Sequence, residues 1–202
     1  VRVYNDKGMA ERSGTGLFAR EIMKAHPLLP VEEEGRLNDA DLRDNFITRV
    51  YVYARWKALI DSGLSKSGLI KFHARHKYVV MAHSTVMYRQ LGQMLSKLSL
   101  APVTDIADRY NVRHMRALSE PATRKRQTKV FHQFLGYLKK NLHSAYRTDL
   151  DKTIDAYRRG EFPLAVPVRL LQHHFSIHPH PYIKEQVYLN PHPQALQIRN
   201  NL

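Results

Sequence analysis

From Leu69 onward the apolar residues recur every three to four positions, and no strong alternating pattern interrupts them. A chain patterned this way hides its apolar surface by packing helices against one another. Ile70, Ala74, Tyr78 and Met81 share a phase over 69–83, and Tyr88, Leu91, Leu95 and Leu98 repeat it over 85–98. A helix beginning near Pro121, an acceptable first-turn proline, carries Val130, Phe134, Tyr137 and Leu138. Residues 144–159 carry Leu150, Ile154 and Tyr157, with Gly160 as a natural stop. Shorter helices are expected over 166–174 and 183–189, between prolines. The expectation is a mainly α protein whose C-terminal part is an all-α helical bundle.

The first sixty residues read differently. Val1–Tyr4 has strand character, and Asn5-Asp6-Lys7-Gly8 carries turn chemistry. Ser13-Gly-Thr-Gly16 leads into a helix bearing Leu17, Phe18, Ile22 and Met23, with Ser13 or Thr15 as its cap. Pro27 stops that helix, and Leu28-Leu-Pro-Val31 reads as a short buried strand. Helix, turn and strand in this order predict an incomplete α/β segment over 1–60 that lacks most of its sheet. A further helix, capped by Asn38 or Asp39, shows Leu42, Phe46, Val50 and Tyr53 on one face and runs to Trp56. The small, polar run Ser62–Gly68 marks a boundary, with a second domain over 64–202.

Charge follows the same division. Residues 1–57 hold 10 Lys/Arg against 9 Asp/Glu, whereas 58–202 hold 22 against 9, of a total net charge of +14. Eleven of the 12 histidines also lie in the second part. Clustered excess of this kind points to a polyanionic partner, RNA before DNA. The sequence has no cysteine, which excludes disulfides, thiolate metal sites and an iron–sulfur cluster on its own ligands. It also has no apolar run of membrane-spanning length and no signal-peptide pattern, so a cytoplasmic protein without membrane attachment is expected.

Two basic runs are the candidate RNA contacts. Arg124, Lys125, Arg126 and Lys129 occupy a stretch without acidic residues between Glu120 and Asp149, and Lys125 and Lys129 stack at i,i+4. Stacked like charges destabilise an isolated helix, so they are placed for an outside anion. Lys71, His73, Arg75, His76 and Lys77 interleave bases with rings, which suits unpaired RNA, the alternative being that Phe72, His76 and Tyr78 simply pack. Arg89, Lys139 and Lys140 extend the basic set.

His173, His174, His178 and His180 form the one cluster of possible metal ligands. No carboxylate or thiol lies in the ten residues before them, and Pro179 interrupts the helix, so no metal is assigned to this chain. Glu32-Glu-Glu34 is the single acidic run and reads as a loop. A stand-alone DNA-binding or repair-associated module, and a histidine-metal enzyme, are the competing readings.

Several motifs resemble known families. Residues 3–9 (VYNDKGM), 14–19 (GTGLFA), 29–37 (LPVEEEGRL) and 43–46 (RDNF) resemble the final third of the thiouracil desulfidase family. Residues 81–84 (MAHS), 88–92 (YRQLG), 121–126 (PATRKR), 136–139 (GYLK) and 191–193 (PHP) resemble the YbgA-like helical domain. The tandem resembles the C-terminal portion of a bacterial desulfidase fusion, which implies sulfur removal from 4-thiouridine in tRNA. It also implies a [4Fe-4S] cluster on three cysteines upstream of Val1, in a missing N-terminal α/β segment, so the chain alone is expected to be inactive. The resemblance implies that Ser13 and Thr15 form a pocket wall and that the helical domain holds tRNA.

Overall fold

The computed structural model describes residues 3–4, 10–11, 16–196 and 198–199. Strands β1 (Val3–Tyr4) and β2 (Ala10–Glu11) pair antiparallel, with Val3 opposite Glu11. The helices are α1 (Leu17–Ala25), α2 (Ala40–Asp61), α3 (Lys66–His83), α4 (Thr85–Leu95), α5 (Val103–Ser119), α6 (Arg124–Leu138), α7 (Ser144–Arg159), α8 (Ala165–Ile177) and α9 (Pro181–Lys184). Short 3-10 turns cover Glu34–Asn38 and Gln194–Leu196. The architecture is an all-α helical bundle. Among the described residues no helix is long and apolar enough to cross a membrane.

Of the α/β unit expected over 1–60, the described residues show the β1–β2 ribbon and α1 but no larger sheet. Leu28–Val31 forms turn and extended chain with no ladder. Pro27 and Pro30 remove two backbone donors from a segment that short, so it cannot pair on both sides. The helix before it forms as α1, but buries no residue: Leu17 and Phe18 are 77% and 81% exposed. Ser13 and Thr15, and the turn over 5–8, lie outside the described residues.

Helix starts follow local chemistry. Asp39 accepts from the amides of Asp41 and Leu42, Ser65 from Gly68, Ser84 from Met87 and Thr123 from Arg126. Each cap of this kind contributes about 1 kcal/mol. Gly160 ends α7 at φ 89°, and Gly63 makes the α2–α3 turn at φ 92°. A side chain at either position is strained. One apolar core runs through α2–α8: Val52, Leu69, Leu91, Tyr110, Leu118, Phe131, Phe134, Leu150, Ile154 and Leu171 are all fully buried.

The buried face of α2 is Asn45, Thr48, Val52 and Trp56, turned from the expected stripe, of which Val50 is exposed. Trp56 stacks on Tyr110 of α5 at 5.8 Å and meets Phe72 of α3 edge-on at 5.1 Å. His114 of α5 completes this cluster, 5.4 Å from Phe72 and 5.5 Å from Tyr110. Its ring is fully buried and neither nitrogen has a partner. An unsatisfied buried polar group costs about 1–3 kcal/mol. His114→Leu is therefore expected to raise the unfolding midpoint by several degrees, at about 2–4 °C per kcal/mol, as read by calorimetry. A lower midpoint would mean that the imidazole has a partner after all.

Candidate nucleic-acid interface

The basic residues separate into three environments. The first is the outer face of α6. Lys125, Lys129, His132 and Gly136 follow at i, i+4, i+7 and i+11, all exposed, with Lys139 and Lys140 exposed just beyond. The stripe runs about 22 Å along the helix. Among the described residues Asp151, 3.6 Å from His132, is the one acidic partner it finds. Lys139 also borders a shallow groove with Arg147 and Asp151.

In the second environment the guanidinium groups are bonded to backbone carbonyls. Arg124 donates to the carbonyls of Tyr157 (3.1 Å) and Phe162 (3.0 Å) and lies 5.0 Å over the Tyr157 ring. Arg126 donates to the carbonyl of His83. These two guanidinium groups fasten α6 to α7 and to the end of α3. The backbone groups they satisfy explain why the Thr-Arg-Lys-Arg run is not a uniform charged face. Lys77 is drawn in, its ammonium 4.9 Å from the Tyr78 ring and 5.0 Å from that of Tyr182. Burial opposes its charge, but the Tyr182 hydroxyl and neighbouring phenols hold its pKa above the ordinary lysine value.

The third is a groove of about 550 Å³ between the C-terminal part of α2, the N-terminal part of α3 and residues 184–190. Arg55, Lys71, Arg75 and Lys184 line it, with Glu185 as its one carboxylate. Arg75 and Glu185 are both more than half exposed, with 3.6 Å between them. Burial, together with the charge of Arg75, depresses the pKa of Arg55, so this guanidinium is partly stripped of water beside a like charge. The wall formed by the C-terminal segment is pinned to α3. Tyr182 and Gln186 donate to the Ala74 carbonyl (3.3 and 3.0 Å), and the Val187 amide donates to that of Arg75 (3.0 Å).

The histidines of the α3 run do not stand on the surface with Lys71 and Arg75. His73 is half-buried, its Nδ1 3.0 Å from the Tyr110 hydroxyl, and burial pushes its pKa down to about 4. His76 is 2% exposed and stacks on Phe72 at 4.0 Å. Its Nδ1 lies 2.7 Å from the Phe72 carbonyl, which can only accept, so Nδ1 carries the proton. Burial brings its pKa to about 3. Arg89 is exposed on α4, away from both basic sets in sequence.

The His173–His180 run is spread over different surroundings. His174 is buried, His173 is exposed, and His180 meets Tyr137 edge-on at 4.9 Å. Among the described residues no group of three or more His, Cys, Asp or Glu is arranged to hold a metal ion.

Arg55, Lys184 and Gln186 carry no signal in the sequence. Arg55 lies in the charge-balanced first part, and the other two are about 130 positions away. Only the return of the C-terminal segment onto α3 brings them together.

Fold and surface define an all-α domain whose cations gather on one helix face and in one groove. The family model described as a protein of unknown function (DUF1722) matches residues 77–193, more than half of the chain. The chain is also 30% identical over 159 residues to the uncharacterized protein YbgA of Escherichia coli (strain K12), covering 78% of this chain and 94% of that protein. It belongs to this DUF1722, YbgA-like family. No solved structure matches it.

Proposed function

We propose that this chain is an RNA-holding helical module, with tRNA as its partner, working beside a desulfidase-type catalytic domain. The observation that carries the reading is the α6 stripe: four exposed lysines (Lys125, Lys129, Lys139, Lys140) along a helix whose own carboxylates are absent. Repulsion along such a face is tolerated when phosphates neutralise it, and each neutralised phosphate releases counterions. The groove with Arg55, Lys71, Arg75 and Lys184 supports the same reading, as does the exposed apolar face of α1, which a neighbouring domain would cover.

A desulfidase neighbour implies a [4Fe-4S] cluster. Cluster iron is held by thiolates, and this sequence contains none. The residues here do not fit that group, and no chemical step is assigned to them.

The test is tRNA binding by this chain, titrated in salt. Affinity is expected to fall steeply between 50 and 200 mM salt, and Lys125→Glu/Lys129→Glu to weaken it about 10- to 100-fold with a shallower salt slope. Unchanged affinity in the double variant removes α6 from the interface. Equal affinity for duplex DNA at matched salt would favour the DNA-binding alternative.

A further inference from the structure

We infer that the groove between α2, α3 and residues 184–190 takes an unpaired guanine nucleotide. The inference rests on the RNA-holding reading and names what one part of that surface recognises.

Three residues lining the groove carry polar atoms with no hydrogen-bond partner: His76 Nε2, Gln186 Oε1 and Arg55 Nη1. Their chemistry is fixed by the bonds that their other atoms make. His76 donates from Nδ1 to the Phe72 carbonyl, and its depressed pKa keeps Nε2 an unprotonated acceptor. The Gln186 amide nitrogen donates to the carbonyls of Ala74 and Tyr182, so its oxygen is the free end, also an acceptor. Arg55 Nη1 can only donate. Among the unpartnered atoms of the lining, two are therefore acceptors and one is a donor.

Of the four RNA bases, guanine alone presents the complement on its Watson–Crick edge: two donors, N1–H and the 2-amino group, and one acceptor, O6. Uracil presents one donor between two acceptors, cytosine one donor and two acceptors, and adenine one of each. A volume of about 550 Å³ lies within the range of small-ligand sites. Lys71, Arg75 and Lys184 on the same groove leave one carboxylate against four cations, which suits the phosphate.

The three unpartnered atoms are closed to water, so the base enters by moving rim side chains. Arg75 and Glu185, loosely paired at 3.6 Å, and the exposed Lys71 and Lys184 are free to turn outward. The gain that offsets this motion is satisfaction of three polar atoms that are otherwise unpaired.

Calorimetric titration with GMP, IMP, AMP, CMP and UMP tests the pairing without altering the protein. GMP is expected to bind about tenfold or more tighter than the other three RNA mononucleotides, and IMP, which lacks the 2-amino donor, about tenfold weaker than GMP. Arg55→Met should lower GMP affinity without lowering the unfolding midpoint. Five equal affinities would reduce the groove to a phosphate site and overturn the inference. A hairpin RNA with one bulged guanine, compared with the same hairpin carrying inosine there, separates strand from free nucleotide; discrimination by the mononucleotides alone overturns the RNA assignment. Tight tRNA binding with no GMP binding overturns the pocket and leaves the RNA-holding reading standing, whereas loss of both removes the two together.

Discussion

Stability should be flat from pH 8 to about 7 and then fall by about 4 kcal/mol per pH unit as the solution is acidified through pH 6 to 5. Three fully buried histidines carry this expectation. Burial drives the pKa of His83 to about 4 and that of His76 to about 3, in each case against a backbone hydrogen bond that favours the charged form. Burial also takes His114 well below its ordinary value, helped by the other histidines around it. All three are neutral in the folded protein throughout the neutral range. In the unfolded chain each takes up a proton near the ordinary value of 6.5. The unfolded state therefore binds more protons below pH 6.5, and stability drops by about 1.4 kcal/mol per pH unit for each. Their contribution is complete above the unfolded pKa and is lost as pH falls toward 4. Three such terms remove about 6 kcal/mol by pH 5, a large share of a total stability of about 5–15 kcal/mol. Urea unfolding at pH 7.5, 6.5, 5.5 and 5.0 measures it. A midpoint unchanged down to pH 5 would show that these rings keep their protons, with partners that the fold does not provide.

Those same histidines explain which parts of the fold could be read in advance. In α6 and α7 the core stripe is aliphatic and aromatic, and Val130, Phe134, Leu138, Leu150, Ile154 and Tyr157 are buried where periodicity places them. In α2 the buried stripe includes Asn45 and Thr48, and in α5 it includes Asn111 and His114. Hydrophobic period cannot see such a stripe, because its polar members carry no apolar signal. Asn45 instead donates to the Leu118 carbonyl at 3.1 Å. The face of α2 was therefore misread, and α5 was not singled out as a helix at all.

The candidate interface was legible as charge and illegible as geometry. Clustering of lysine and arginine after residue 57 identifies a basic half, but not which cations face outward. Arg124 and Arg126 answer carbonyls at helix ends, whereas Lys125 and Lys129 meet none. The sequence places all four in one run. His76 reads as a surface ring among bases, and its position between Phe72 and His114 becomes clear only when α5 is present. The groove needs a segment more than 100 residues away, which no local pattern announces.

That segment is also braced by one carboxylate, whose removal should have the largest effect of these single substitutions. Asp44 of α2 receives Arg199 through Nε at 2.9 Å and Nη2 at 3.1 Å, and His192 through Nε2 at 3.0 Å. All three side chains are 15% exposed or less. Burial pushes the Asp44 pKa up, but the charge of Arg199 and the hydrogen bonds from His192 and Arg199 outweigh it and hold it at about 2. Arg199 also donates to the Tyr188 carbonyl at 3.0 Å, so the same cluster braces one wall of the groove. Asp44→Ala leaves a buried guanidinium with no counter-charge, which costs about 3–5 kcal/mol, or about 10 °C in the midpoint. Arg199→Met on that background should recover part of the loss, because it removes the stranded charge. Hydrogen exchange at Val187 and Tyr188 should quicken in Asp44→Ala even where the helices stay protected. A loss under 1 kcal/mol would place the cluster with ordinary surface ion pairs. The groove wall would then be held by the bonds to Ala74 and Arg75 and by Gln172, which donates to the Leu189 carbonyl at 2.8 Å.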